Sequence, residues 1–493
     1  MPRTSLGRRL ALSLSQLWAF VAVALPAMAV TGRLSTVDLA YQIRTGQQIL
    51  RSHGIPRVDF LTFTAAGRPW VNQQWGAQVL LDVVYRAGHW GGLALLRVGT
   101  VAVTFSLVYL ACRGTGVLRR QAAWLTLAAV PVTLGGLALR PQLFGMALFA
   151  LALWLVAGRR RHPARLWAMP VVAALWANVH GSFVLAPLVL ALAWLEDRRE
   201  DRAAAGRTLL VLVATSAATL INPFGPAVWT YAIGLARNTE VARFVSEWQP
   251  PTIHTFVGAT FFASVFAVLV FLARRGRSAP WTTLLWLAPF LAMALQATRG
   301  VFWWGLVAPV VLAGMLGKEG EGVGEGRHRA EPERSELGPT LLHTLIAAML
   351  AAAGVLVFPW WGRASTEPSE RLLAPAPVGI TMTVAASLRS GGRMFNAQRW
   401  GSWFELALPS HPVFVDSRVE VIPASVWSDY QAVSSGRQGW QAILDHWRID
   451  LVVLDRQEQA GLLPLIRRDS GWRLIRADGD GLVFERARSP SPP

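Results

Sequence analysis

The sequence predicts a polytopic α-helical membrane protein of about eleven transmembrane helices, ending in a small extracytoplasmic α/β domain. Three observations carry this expectation. Of 493 residues, 53% are hydrophobic and only 15% are charged, too apolar and too charge-poor for a soluble protein of this length. Apolar windows of roughly 20 residues, the length that crosses a bilayer, recur along the chain. Arginines cluster in every second loop between those windows, as the positive-inside rule requires of cytoplasmic loops. The formal net charge of +18 would suggest nucleic acid for a soluble protein, but no basic helix or aromatic-basic sheet motif accompanies it.

The first element is the apolar run 10–30, behind Arg3, Arg8 and Arg9. Ala27-Met28-Ala29 mimics a signal-peptidase site, yet the run is long enough to span a membrane, and a retained helix over 1–30 is preferred. Either outcome leaves the next segment, 31–90, outside the cytoplasm as a long first loop. The bundle, 91–317, contains windows at 91–112, 120–138, 142–157, 166–178, 181–196, 207–221, 256–273, 280–298 and 301–317, and a last helix follows at 339–359. As one helix, Leu166 to Leu195 would reach roughly 45 Å, more than the hydrocarbon core. Asn178, His180 and Gly181 also lie at its middle, so two short spans joined by a turn are expected.

The basic loops are Arg113 with Arg119 and Arg120, Arg159 to Arg161 with Arg165, Arg198 with Arg199, Arg202 and Arg207, and Arg274 with Arg275 and Arg277. They place the N-terminus in the cytoplasm and the chain in a bacterial-type cytoplasmic (inner) membrane. The Gly- and charge-rich segment 318–338 reads as a cytoplasmic linker. In the final segment, 360–493, His411-Pro412-Val413-Phe414-Val415 and Leu451-Val452-Val453-Leu454 read as strands and Gly439 to Trp447 as a helix, which suggests βα alternation. Cys112 is the single cysteine, which excludes an intrachain disulfide and a Cys-based metal cluster.

Candidate chemistry begins in the first loop. Leu39, Ile43 and Ile49-Leu50 are spaced for an amphipathic helix resting on the membrane surface, with Asp38 at its start. Asp38 is read either as a capping or dipole-paired carboxylate or as a catalytic one. Asp59, after Pro56 in a turn-prone stretch, is a second catalytic candidate whose plainer reading is an Asx turn. Trp70 and Trp75, flanking Asn72-Gln73-Gln74, read as interfacial anchors.

The alternation of spans also sends Arg140, Gln142, Asn178, His180, Asn222, Glu247, Trp248, Gln249 and Arg299 to one outside face. Polar groups at span ends near a bundle interior are functional candidates by default. Each has a structural alternative: Asn222-Pro223 stops a helix, Arg299 snorkels, and His180 is a satisfied interior histidine. Together with Asp38 they outline a cavity with a carboxylate, a histidine and two arginines. Such a set suits group transfer from a membrane-bound phosphate donor, with the carboxylate taking a proton from an acceptor hydroxyl and the arginines offsetting phosphate charge. A divalent cation is admitted but not indicated, and no metal-binding residues are assigned. Asp416 and Asp455, after apolar runs, read as turn-stabilising carboxylates, with a ligand role as the alternative.

On Asp38, the turn Asn178-Val179-His180-Gly181 and the multi-span body with an outside C-terminal domain, the chain resembles membrane glycosyltransferases of the C-type fold. It is similar to a group of bacterial multi-pass membrane proteins related to that class. The shared features are Asp38, Gly54-Ile55-Pro56, Asn72-Gln73-Gln74-Trp75, Arg140-Pro141-Gln142, Asn178-Val179-His180-Gly181, Asn222-Pro223-Phe224-Gly225, Ser246-Glu247-Trp248-Gln249-Pro250, Asn396 to Trp400 and Phe414 to Arg418. The resemblance implies a polyprenyl-phosphate-linked sugar donor, a glycan, lipid or protein acceptor outside the cytoplasm, and an acidic first-loop residue as base, carried onto Asp38. Arg140 and Arg299 would then bind the donor phosphate, with His180 orienting a substrate.

The first loop has no adjacent pair of acidic residues, unlike better-known members. That departure bears against a metal. It also keeps open an alternative, a non-catalytic membrane component of envelope polysaccharide assembly. A transporter is the third reading, disfavoured because no inverted repeat is visible and the polar residues gather on one side.

Overall fold

In the computed structural model, which describes residues 12–236, 245–276, 280–322, 340–479 and 481–487, every apolar window of the sequence falls on a helix. Helix α1 (Leu14–Ala29) starts at a reciprocal capping box between Ser13 and Gln16, and α2 (Thr36–Ser52) follows in the first loop. Helix α3 (Trp75–Gly114) is longer than its window, 91–112, and bends at His89, whose φ of 48° interrupts the helical backbone. Then come α4 (Arg119–Thr133) and α5 (Pro141–Ala157), where Pro141 sits at a first-turn position that needs no N–H donor. Two short helices, α6 (Met169–Ala177) and α7 (Leu185–Glu200), flank the polar turn at His180, as the length argument expected.

Helix α8 (Arg202–Ala218) is capped by the Asp201 side chain accepting from Ala204 N–H, and α9 (Ala227–Ala236) follows. Helix α10 (Phe256–Arg275) is capped in the same way by Thr255. Helices α11 (Trp281–Gln296), α12 (Thr298–Gly322) and α13 (Leu341–Leu356) complete the apolar set. Three segments, Trp75–Gly114, Phe256–Arg275 and Thr298–Gly317, are long and apolar enough to cross a membrane, while α1, α5, α11 and α13 are shorter apolar helices. Helix α12 runs into the charged linker 318–338, whose remainder lies outside the described residues, as does Arg277.

The chain divides into two compact units. The first comprises Met1–Gly32, Ala94–Ala232 and Val245–Trp361, and is helical among its described residues. Within it α12 packs on α11, α4 and α5, while α8 packs on α7 and α6. Wholly buried aromatic side chains, including Phe149, Trp176, Phe290 and Trp304, fill the spaces between these helices.

The second unit comprises Arg33–Leu93, Ile233–Phe244 and Gly362–Pro493. The first loop and the C-terminal segment, read from the sequence as separate pieces, thus fold together. Its later elements are α14 (Val378–Ser387), β1 (Met394–Asn396), α15 (Gln398–Ala407), α16 (Ala424–Ser434), α17 (Trp440–His446), β2 (Leu451–Leu454), α18 (Leu463–Ile466), β3 (Trp472–Ala477) and β4 (Leu482–Arg486). The four strands lie in the order β1-β2-β4-β3. The pair β1–β2 is parallel and needs the long helical crossover between them, whereas β4 pairs antiparallel with both β2 and β3. Strand β2 is buried along its whole length, which is why its sequence is a continuous apolar run.

Two sequence expectations differ here. The run His411–Val415 does not extend as a strand: Val413 makes an isolated bridge to Thr62. The adjoining backbone is taken by Asn396, which accepts from Phe414 N–H at 2.9 Å and donates to the Val415 carbonyl at 2.9 Å. Helix α2 does not leave its apolar face to a membrane surface. Leu39, Ile43 and Ile49 are buried, and the helix packs against α15 within its own unit.

Candidate functional site

In the first unit the helix ends sort by chemistry. One set of ends carries Arg113, Arg119, Arg159 to Arg161, Arg198 and Arg274. The opposite set carries the starts of α5 and α12 and the turns after α6, α8 and α11.

At this second set Glu247 sits in a short 3-10 turn, Ser246–Trp248, and bridges two arginines. Its Oε1 accepts from Arg140 Nη2 at 2.7 Å and its Oε2 from Arg299 Nε at 3.0 Å. Arg140 is the N-cap residue of α5, and Arg299 lies in the first turn of α12. Two helix N-termini, each with partial positive charge, are therefore brought to one carboxylate. Burial would raise the Glu247 carboxyl, but the charges and hydrogen bonds of Arg140 and Arg299 outweigh it and bring its pKa down to about 2. The trio carries one net positive charge. Both Glu247 oxygens are used by the arginines, whereas Arg299 keeps both terminal amino groups without a hydrogen bond to the described residues. The Trp248 ring lies 4.9 Å from the Arg299 guanidinium carbon, and the Gln249 carbonyl accepts from Thr298 N–H at 2.9 Å, fixing the start of α12.

His180 lies in the turn between α6 and α7. Ser182 N–H donates to its Nδ1 at 3.1 Å, which places the ring proton on Nε2. Burial, reinforced by the charges of Arg299 and Arg140, lowers its pKa to about 3, so the imidazole is neutral at physiological pH. Trp176 Nε1–H donates to Ser182 Oγ at 3.1 Å. This cluster rests against Gly145 of α5: a Cβ there would meet Ser182 Oγ at 2.8 Å and His180 Nδ1 at 3.2 Å. Gln142, one residue into α5 from Pro141, is 3% exposed, and neither its amide nitrogen nor its oxygen has a hydrogen-bond partner. An unsatisfied buried amide costs about 1–3 kcal/mol, a cost that a ligand or water would relieve.

The remaining polar candidates serve the backbone. Asn178 Nδ2 donates to the carbonyls of Ala174 at 2.7 Å and Ile221 at 2.8 Å, joining the ends of α6 and α8. Asn222 donates to Thr219 O at 2.8 Å and accepts from Phe224 N–H at 2.8 Å, which shapes the turn after α8. Sequence reasoning missed Arg97. It lies inside the window 91–112, and its Nε donates to the Leu137 carbonyl at 2.8 Å, three residues before Arg140. A charge within an apolar span was the available signal. Nothing in the sequence singles out Gly145 or Ser182.

In the second unit Asp38 lies in the first turn of α2, after the N-cap Ser35, where the helix dipole favours a carboxylate. It also raises the pKa of the neighbouring Tyr41 phenol, after burial as the larger cause. Asp59 is 2% exposed and accepts from Leu61 N–H at 3.3 Å and Thr62 N–H at 3.1 Å, the Asx-turn pattern. Its Oδ1 also accepts from Arg418 Nη2 at 2.7 Å. Arg418 is wholly enclosed: Nε donates to Asp416 Oδ2 at 2.8 Å, and the guanidinium carbon lies 4.6 Å from the Trp70 ring centre. Trp70 is thus 6% exposed in this core rather than an interfacial anchor. Asp455 accepts from Gln457 N–H at 2.7 Å and Glu458 N–H at 2.9 Å, a turn-stabilising arrangement. Among the described residues no group of three or more His, Cys, Asp or Glu side chains is placed to hold a metal ion.

No protein-family model matches the chain, and no curated protein matches it either. Solved structures do. The oligosaccharyltransferase of Archaeoglobus fulgidus, tethered to an acceptor peptide containing the NVT sequon, aligns with a TM-score of 0.54 at 12% identity, over 95% of this chain and 74% of that one. The same archaeal enzyme with an inhibitory peptide and a dolichol-phosphate aligns at 0.53 and 12% identity, over 96% and 75%. ArnT from Cupriavidus metallidurans bound to undecaprenyl phosphate aligns at 0.50 and 14% identity, over 96% of this chain and 98% of that one. The chain therefore shares its fold, the C-type fold, with these solved structures.

Proposed function

We propose that this protein is a membrane glycosyltransferase that moves a sugar from a polyprenyl-phosphate carrier to an extracytoplasmic glycan, lipid or protein acceptor, with inversion at the sugar carbon. The observation that supports it most is the Arg140–Glu247–Arg299 bridge at two helix N-termini, beside neutral His180 and the unsatisfied amide of Gln142. Glu247 holds the two guanidinium groups in place, and the net charge left over attracts a phosphate. As the phosphate departs from the sugar its charge grows, so Arg299 stabilises the transition state more than the ground state. Neutral His180 contributes an Nε2–H donor that orients a substrate oxygen and adds no charge.

Asp38 is the proposed general base, taking the proton of the acceptor hydroxyl as its oxygen attacks the sugar carbon and the carbon–oxygen bond to phosphate breaks. Asp59, with both oxygens engaged, takes the part of positioning Arg418 and not of a base. The support for Asp38 is the resemblance in the first loop together with its place in the first turn of α2.

The test is turnover of polyprenyl-phosphate sugars by the purified chain. Asp38→Asn should lose about 10²–10⁴-fold in rate while keeping expression and thermal midpoint. Full turnover by that variant removes Asp38 from the mechanism. Tight carrier binding with no turnover by the parent chain moves the reading to a non-catalytic component of envelope polysaccharide assembly.

A further inference from the structure

The second unit holds a buried acid that the proposed transfer chemistry does not use. Glu405 lies on α15, 3% exposed, and neither carboxyl oxygen accepts from a donor among the described residues. An ionised carboxylate can only accept, so its lone pairs would be left unfilled away from water. The backbone decides what it faces instead. One turn earlier on the same helix face, a Cβ at Gly401 would collide with the Val415 carbonyl and lie 2.8 Å from Asp416 Cα, so α15 meets the 415–417 segment backbone to backbone. Ser402 Oγ lies 3.3 Å from Ser417 Oγ along the same contact. Glu405 is thereby set against the Asp416 carboxyl.

Asp416 is wholly buried and already holds Arg418: its Oδ1 accepts from the Arg418 backbone N–H at 2.7 Å and its Oδ2 from Nε at 2.8 Å. The charged groups around Glu405 come from three segments: Asp416 with Arg418 beside α15, Asp59 of the first loop, and Arg44 of α2. Arg44 in turn neighbours Arg51, and Tyr41, close to Arg418, also feels Asp38 and Glu420. Three carboxyls thus meet two guanidinium groups, and one proton balances them. Burial and then the Asp416 charge favour that proton on Glu405, with Arg418 pulling the other way.

We propose that Glu405 is un-ionised at neutral pH and donates its proton to Asp416, and that this carboxyl pair positions the start of α2, where Asp38 lies. The link to α2 is direct. Ser417, next to Asp416, donates its hydroxyl to the Val37 carbonyl at 3.1 Å, and the Arg418 guanidinium carbon lies 5.6 Å from the Tyr41 ring centre. Loss of the proton puts two buried anions side by side and drives Asp416 from α15, and Ser417 and Arg418 carry that displacement to Val37 and Tyr41. Glu405 touches no reacting atom: it is a positioning residue, and its bearing on catalysis rests on Asp38 being the base proposed above.

The experiment takes two readouts from the full, purified chain, and neither uses a sugar carrier. The first is the infrared difference between the parent and Glu405→Gln at neutral pH, which should show, in the parent only, the carbonyl stretch of an un-ionised carboxyl. A difference confined to ionised-carboxylate bands, as a water-bridged Glu405 would give, overturns the shared proton. The second is hydrogen exchange of residues 36–45. Glu405→Gln keeps an N–H donor for Asp416 and should be protected like the parent at neutral pH, whereas Glu405→Leu should exchange about tenfold faster or more, having lost a hydrogen bond to a charged group. Equal protection in all three chains overturns the positioning role. Should Glu405→Leu fail to fold, the parent and Glu405→Gln are compared as pH rises. The parent should lose protection beyond the common rise in chemical exchange while the variant does not, and identical curves overturn the proposal. A parent chain that passes both tests yet transfers no sugar overturns the transferase reading and leaves the carboxyl pair in place.

Discussion

Glu405 shows how far one side chain can escape a sequence reading. It lies on α15, 3% exposed, with neither carboxylate oxygen hydrogen-bonded, and faces Asp416, Asp59 and Arg418 with Arg44 nearby. Burial and then the Asp416 charge push its pKa well above the usual carboxylate range, against the opposing pull of Arg418. A carboxyl held neutral in the folded state stabilises it fully below its unfolded value of about 4.3, and that stability is lost as pH rises toward the raised value. The folded chain should therefore lose stability above about pH 4.3 with a slope that Glu405→Gln removes. Thermal midpoints of both chains across that range check this, and parallel curves contradict it. Helical spacing in Gln398–Ala407 gave no hint of this group, because its neighbours Asp59, Asp416 and Arg418 come from other segments of the chain.

At the scale of elements, the apolar windows located the helices well because the pattern is local: length and hydropathy act over one turn after another. The polar turn at His180 was legible for the same reason. The gathering of Arg140, Glu247 and Arg299 was legible only as helix ends sharing a side, and their direct bridge was not, since it depends on side-chain reach across three separate segments. Asn178 and Asn222 looked equally functional in sequence, yet both are spent on carbonyls of helix ends. The α5 face shows what the bridge needs from its neighbours. Gly145→Ala should displace Ser182 and His180, costing about 1–3 kcal/mol of stability by overpacking and weakening polyprenyl-phosphate binding. A variant with unchanged thermal midpoint and unchanged binding would show that the His180 turn plays no part in the site.

At the scale of the whole molecule, the fold was legible as a multi-span body with an α/β tail, while the union of the first loop with that tail was not. Residues 33–93 and 362–493 share one unit through pairings such as Leu34 with Leu373 and Asp59 with Arg418, contacts that no local pattern encodes. The shared fold with two polyprenyl-phosphate-linked enzymes carries architecture, and the chemistry rests on the residues.

The most direct measurement of the central claim is the affinity of the purified chain for a polyprenyl phosphate, compared with Arg299→Ala. Loss of a charged hydrogen bond worth about 1.5–3 kcal/mol predicts binding weakened by roughly 10- to 100-fold in the variant, with the helical fold intact. Absence of binding by the parent chain, or equal affinity in the two, would contradict a phosphate site at the start of α12.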